Sequence, residues 1–152
     1  MKKALLICVL LFTPFQVLAE PTASLKYDLI FGSIAEGGYV TENDHYFYGL
    51  ISDNHSSLFG EVIDINRFGF GWGMPISENK KHVVGTSVGR IFIDGRDDIW
   101  FFSWIDEDIT SLSLTYDYFY KGIQNSGFRI GGELMWGDFR EAGIAINAGW
   151  KF

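Results

Sequence analysis

Cysteine is almost missing from this chain: 152 residues include one, Cys8, and it lies within an apolar stretch near the N-terminus. No disulfide can therefore staple a small core, and stability has to come from packing or from the surroundings of the chain. Only three prolines are present, and no stretch is of low complexity, so nothing reads as a linker between domains. Cations are few. Twelve Lys and Arg face nineteen Asp and Glu, and beyond the N-terminal Lys2-Lys3 there is no basic cluster other than Lys80-Lys81, which argues against nucleic-acid binding. The three histidines, His45, His55 and His82, have no Cys or second His at ligand spacing, so no metal site is expected. Apolar runs long enough for a spanning helix, roughly 20 residues, are also lacking. Beyond residue 19, no ten residues carry a convincing helical period.

What is present begins at the N-terminus. Lys2 and Lys3 precede an apolar run from Ala4 to Phe12, and Val17-Leu18-Ala19 places small residues where signal peptidase cuts. Residues 1–19 read as a signal peptide and 20–152 as one domain. Cys8 follows Leu5-Leu6-Ile7, but Ile7 stands where a lipoprotein signal needs Gly or Ala, so lipidation is set aside. Without the leader, ten cations face nineteen acids, a formal charge of −9.

Aromatic residues and glycine dominate the remainder: twelve Phe, seven Tyr, five Trp and eighteen Gly. The last eleven residues, Ala142 to Phe152, alternate strictly. Ile144, Ile146, Ala148, Trp150 and Phe152 take one face, and Gly143, Ala145, Asn147, Gly149 and Lys151 the other. Eight strands can be read in this way, near 24–34, 43–52, 59–74, 82–94, 98–106, 111–120, 128–136 and 142–152. The second sets Tyr46, Tyr48 and Leu50 outward. The third changes phase between Ile65 and Phe68, so a bulge near Asn66 or Arg67 is expected. The fifth is apolar on both faces. Arg90, on an outward face, must snorkel to a rim. Outward aromatics then fall into two belts. Tyr27, Phe92, Trp100, Tyr118, Tyr120, Trp150 and Phe152 lie toward the end holding both termini, and Tyr46, Trp72, Trp104 and Trp136 toward the other.

This combination resembles a small Gram-negative outer-membrane β-barrel of the eight-stranded kind: an all-β, antiparallel, up-and-down transmembrane barrel after a cleaved signal peptide. The resemblance implies periplasmic chaperones and an assembly machine that reads the final strand, here Ile146, Ala148, Trp150 and Phe152. Outer-membrane lipids and lipopolysaccharide would surround the protein. An interior of this size is filled by side chains, too narrow for a pore. Lys26, Asp28, Asp117, Arg129, Glu133 and Lys151 would form a lumenal polar core of structural ion pairs rather than an ion path. Expected external connections are Ala35 to Asp44, Pro75 to Lys81, Asp106 to Asp108 and Gly137 to Glu141. Lys80, Lys81 and Arg140 on them are candidates for lipopolysaccharide contact. Asp106-Glu107-Asp108 with Glu36, Glu42 and Asp44 could hold a divalent cation, but no metal-loop spacing appears and solvated turns are the reading adopted. Asp97-Asp98 reads as ordinary turn chemistry.

Two other functional classes fit the sequence less well. Small outer-membrane barrels include lipid A-modifying enzymes, and His55, Ser57 and Glu61 are right in kind for an activated hydroxyl. Their segment, Ser52 to Ser57, reads as a tight turn on the periplasmic side. Leu58 follows Ser57, where the His-x-Ser of lipid A deacylases is followed by Asn on a late strand. A soluble periplasmic barrel binding an apolar ligand would need polar outward faces, and these are Tyr, Trp, Phe, Leu and Ile. The sequence thus points to an integral outer-membrane barrel with an envelope-structural or surface-interaction role, without enzymatic activity and without a cofactor.

Overall fold

The computed structural model describes residues 20–29, 32–58, 61–94, 108–137 and 141–152, so the expected signal peptide lies outside the described residues. Eight strands follow one another: β1 (Glu20–Asp28), β2 (Gly32–Val40), β3 (Tyr46–Leu58), β4 (Glu61–Pro75), β5 (His82–Asp94), β6 (Asp108–Phe119), β7 (Gly127–Gly137) and β8 (Glu141–Lys151). Each pairs antiparallel with the next, and β1 closes on β8 from Thr22↔Lys151 to Asp28↔Ala145. The period of two builds the wall. On β6, Ile109, Ser111, Ser113, Thr115, Asp117 and Phe119 are buried inside, while Leu112, Leu114 and Tyr116 face out. The outer surface is apolar on all strands but β2, which shows Ser33, Ala35, Gly37 and Tyr39; Leu25, Phe70, Leu112 and Ile146 are all more than half exposed.

The strand number matches the sequence reading, but two of the strands are not those expected. The segment 24–34 divides at a turn after Asp28, and Gly32, with φ +81°, opens β2. A left-handed backbone of this sort suits glycine. The apolar segment 98–106 lies outside the described residues, between Asp94 and Asp108, and the barrel closes without it. One strand gained early and one lost later reverse the direction of everything from β2 to β5. The connections 41–45 and 76–81 therefore lie at the end holding both termini (the terminal end), where they were expected outside. The β3–β4, β5–β6 and β7–β8 connections lie at the opposite, far end. Ser52 to Ser57, expected as a turn, is strand, because β3 runs to Leu58.

No bulge interrupts β4. Its register with β5 runs unbroken from Asp64↔Asp94 to Pro75↔Val83, with Ile65 and Arg67 buried and Phe68, Phe70, Trp72 and Met74 outward. A bulge is unnecessary because the lumen is itself apolar at the far end, where Ile65 joins Ile91, Ile93, Ile109 and Met135. Tyr46, Tyr48 and Leu50 also reverse the expected faces: they are buried, and Phe47 and Ile51 look out. Glycines on neighbouring strands make room for them. A Cβ at Gly71 would come within 2.0 Å of the Tyr48 ring, and one at Gly38 within 2.9 Å of Tyr46.

Gly71→Ala should consequently cost about 1–3 kcal/mol through overpacking against Tyr48. Gly49→Ala, whose Cβ meets nothing closer than 3.9 Å, should be nearly neutral. Urea midpoints of the detergent-folded variants check both.

Candidate functional site

Six buried charges form one alternating chain across the lumen. Arg67 Nη2 reaches Glu133 Oε1 at 2.6 Å. The other oxygen of Glu133 takes Lys26 Nζ at 2.8 Å, and Lys26 reaches Glu36 Oε2 at 2.7 Å. Glu36 Oε1 pairs with Arg129, whose Nη1 lies 3.0 Å from Asp117 Oδ1. The order of signs is plus, minus, plus, minus, plus, minus, and the six sum to zero. Their side chains are at most 4% exposed. Five strands, β1, β2, β4, β6 and β7, are thereby tied through the lumen as well as through the wall.

Aromatic rings and hydroxyls complete the layer. The Arg129 guanidinium sits 5.0 Å from the Tyr46 ring centre and 5.8 Å from that of Phe119, and Lys26 Nζ lies 4.9 Å from Tyr48. The Tyr46 hydroxyl donates to Glu36, and Arg129 Nη2 donates to Ser24 Oγ at 2.7 Å. The rings that the glycines admit thus come to rest on the cations.

All six lumenal residues named from sequence, Lys26, Asp28, Asp117, Arg129, Glu133 and Lys151, are buried inside the barrel. They do not form one cluster. Asp28 lies toward the far end, where a Cβ at Gly143 would come within 3.1 Å of it. Lys151 pairs with Glu20 at the terminal mouth. Two members of the chain escaped the sequence reading. Glu36 fell in an expected external loop, although Ile34, Glu36, Gly38 and Val40 alternate in phase. Arg67 stood where the bulge was expected, although it shares the phase of Ile65.

The terminal end is closed by its own turns. Ile123, in the β6–β7 connection, is fully buried, and its N–H donates to Lys80 O at 2.8 Å. Lys80 Nζ pairs with Asp44 at 2.8 Å, and Gln124 Nε2 donates to Asp44 and to the Glu42 carbonyl. Partial burial raises the Asp44 carboxyl, but the hydrogen bonds from Lys80 and Gln124 outweigh it and hold the group below the usual aspartate range. Three connections are laced together beneath the lumen.

Of the girdle residues, Tyr118, Tyr120 and Trp150 face out toward the terminal end, and Tyr27 and Trp136 toward the far end. Trp72 belongs to the terminal end, where its Nε1 donates to His45 Nδ1 at 3.2 Å. Phe92 and Trp72 thus exchange ends relative to expectation because their strands are reversed, and Tyr27 does so because β1 begins at Glu20 and ends at Asp28 rather than spanning 24–34. Tyr46 leaves the girdle for the lumen. Trp100 and Trp104 lie outside the described residues, as do Asp97, Asp98 and Arg140. Ile146, Ala148 and Trp150 lie on the outward face of β8, and exposed Phe152 follows its last residue, Lys151. His82 Nδ1 lies 2.6 Å from the Tyr116 hydroxyl.

His55 stands at the far end, exposed, with Nδ1 2.5 Å from Asp64 and Nε2 3.5 Å from Asp53. It lies beyond the last outward apolar residue of β3, Ile51. The hydrogen bond that the ring gives to Asp64, with the charges of Asp64 and Asp53, raises its pKa above the usual histidine value. The side chains of Ser57 and Glu61 lie outside the described residues. Glu36, Glu42 and Asp44, and Asp108, are divided among the lumen, the terminal end and the far end. Among the described residues, no three His, Cys, Asp or Glu side chains converge as metal ligands.

Replacing Glu133 by Ala would strand Arg67 and Lys26 in the lumen. It should cost about 3–5 kcal/mol, as removal of one partner of a buried pair does. Lys80→Ala breaks a half-exposed pair and should cost less than about 1 kcal/mol. Equilibrium urea unfolding in detergent distinguishes the two.

No family model matches the chain, and no curated protein does. Among solved structures, the chain matches two crystal structures of Ail, the attachment invasion locus protein of Yersinia pestis. The one in complex with the heparin analogue sucrose octasulfate has a TM-score of 0.39 at 14% identity, over 88% of this chain and 95% of that chain. The other has a TM-score of 0.36 at 13% identity, over the same shares. At such scores the likeness adds nothing to the geometry already described, and the chain stands as an eight-stranded, closed, antiparallel β-barrel.

Proposed function

We propose that the protein is an integral outer-membrane barrel with an envelope-structural or surface-interaction role, without a conducting lumen and without enzymatic activity. One observation carries this reading: the wall is inverted relative to a water-soluble protein. Large apolar and aromatic side chains cover the outside of seven of the eight strands, β2 being the exception, while six charges are buried inside and neutralise one another. Lipid stabilises such an exterior, and water does not. The alternative of a soluble ligand-binding barrel fits poorly for the same reason, since its would-be ligand surface is already filled with ion pairs. An even number of strands sets both termini on the periplasmic side and the far end outside.

A pore is disfavoured by the buried charge chain and by Ile123 beneath it. Lipid A chemistry is disfavoured because His55 is oriented by carboxylates on both ring nitrogens and stands at a polar rim. As partners, the reading keeps outer-membrane lipids, and for biogenesis the chaperones and assembly machinery expected to read Ile146, Ala148, Trp150 and Phe152. Lipopolysaccharide contact through Lys80 and Lys81 loses its motive, because both lie at the terminal end and Lys80 is paired with Asp44.

On electrophoresis of the outer-membrane fraction, the unheated protein should migrate differently from the boiled one. A soluble species without a shift would overturn the membrane reading. Planar bilayers should show no stepwise conductance, and lipid A mass spectra should be unchanged by overexpression.

A further inference from the structure

One outward row of side chains leads from the terminal rim into the apolar belt. It begins at Tyr120, whose N–H donates to Phe128 O, and continues by register through Phe128↔Trp150, Ala23↔Trp150, Ala23↔Gly37 and Gly37↔Gly49. Tyr120 follows the last residue of β6, Phe128 is the second residue of β7, and Ala23 is the fourth of β1. Bulk changes abruptly along the row. Three large rings, Tyr120, Phe128 and Trp150, give way to one alanine and two glycines. The neighbouring row, through Ile130↔Ala148, Leu25↔Ala148 and Leu25↔Ala35, is small at two of its positions. Together they leave a shallow depression of about 570 Å³ in the outer wall, lined by the side chains of Phe128, Trp150, Ala148, Ala23, Leu25 and Ala35. No charged side chain stands outward in either row, so what fits the hollow is hydrocarbon.

Charge marks the rim end of the same row. Lys81 Nζ lies 5.9 Å from the centre of the Tyr120 ring, and unlike Lys80, which Asp44 holds, Lys81 has no carboxylate partner among the described residues. Its outward surroundings bring no acid: the His82 ring stands 5.3 Å from that of Tyr118 and 6.0 Å from that of Tyr116. An anionic group is what complements a lysine set over rings in this way. Three strand spacings, about 14 Å, separate Tyr120 from Ala23, close to half the thickness of a bilayer's hydrocarbon core, about 15 Å. A second copy of the barrel does not suit the hollow, because a two-fold contact would set hollow against hollow.

We propose that this row seats one phospholipid of the leaflet at the terminal end, its phosphate beside Lys81 and one acyl chain laid along Phe128 and Trp150 into the hollow at Ala23, Ala35 and Ala148. The charged contact fixes the headgroup at the rim, and the hollow replaces loosely packed lipid with a fitted surface. The inference rests on the membrane reading, which puts the terminal end on the periplasmic side and so makes the lipid a phospholipid.

The test titrates the folded barrel, purified in a mild detergent, with phosphatidylglycerol and follows the complexes by native mass spectrometry. One lipid per barrel should be retained. Lys81→Gln should weaken its binding by about tenfold, the worth of one charge-assisted contact. Ala23→Leu, which fills the hollow from the outside, should weaken it as well, whereas Lys80→Gln should leave it unchanged. Inorganic phosphate should not compete, since it has no chain to lay in the hollow. Unchanged affinity in Lys81→Gln or in Ala23→Leu would overturn the proposal. So would displacement of the lipid by an equal concentration of inorganic phosphate, or a second barrel or a peptide retained in its place. Heat-dependent mobility is read on the same samples and reports the folding of each variant. A mobility shift without retained phospholipid overturns this inference alone, while loss of the shift in the unaltered protein removes the membrane reading with it.

Discussion

Every backbone N–H and C=O in a sheet surrounded by apolar side chains must find another strand, and closure of β1 on β8 is how this chain meets that demand. An open sheet with the same outer face would leave two rows of unpaired polar groups in hydrocarbon, each worth several kcal/mol. Once the sheet is closed, a narrow interior follows, and the rest of the molecule is a solution to filling it. The inner wall of β4 and β5 is largely glycine and serine: Gly69, Gly71, Gly73, Gly85, Ser87 and Gly89. The neighbouring strand β3 supplies the bulk, with Tyr46, Tyr48 and Leu50 paired to Gly73, Gly71 and Gly69 of β4. Small residues beside large ones let the rings lie over the adjacent strand and fill the lumen.

The charge chain answers the second problem of a filled lumen. A single ion there would be costly, and so would a pair with its outer lone pairs unmet. Alternation removes most of that cost, because Glu133, Lys26, Glu36 and Arg129 each meet two opposite charges. The sequence distance within these contacts is large. Lys26 and Glu133 are 107 positions apart, and they meet only because β1 and β7 flank β8 in the closed ring. The same interior charges that look hazardous in a list of residues act as cross-ties between strands that are not neighbours in the wall.

Where the sequence reading was accurate, the feature was local and repeated. The outward sets of β6, β7 and β8 were legible because their alternation is long and uninterrupted, and Arg129, Glu133, Asp117 and Lys151 came with them. Where it failed, a glycine or a change of phase was ambiguous over a few residues. Gly32 looked like part of a strand and proved to be the left-handed start of the next. Gly37-Gly38 looked like loop and proved to be the place where a tyrosine ring passes. The phase change at Arg67 looked like a bulge because the lumen was assumed to be polar along its whole height, and an apolar far layer removes the need for one. The apolar run 98–106, expected as a strand, lies outside the described residues, and the eight described strands close the barrel without it.

The sequence by itself determined the class of the molecule. Period-two alternation with aromatic outer faces, too few cations for a nucleic-acid surface and no disulfide chemistry leave little besides a barrel with an apolar exterior, since those properties belong to each strand separately. Only the tertiary structure decided which way β2 to β5 run, that Tyr46 and Tyr48 turn inward, and that Glu36 and Arg67 complete the charge chain. Each of these depends on what stands across the lumen or on the neighbouring strand. Register and closure bring together residues that no local pattern relates, so the choice of face at an ambiguous position is settled by volume and charge supplied from elsewhere in the chain.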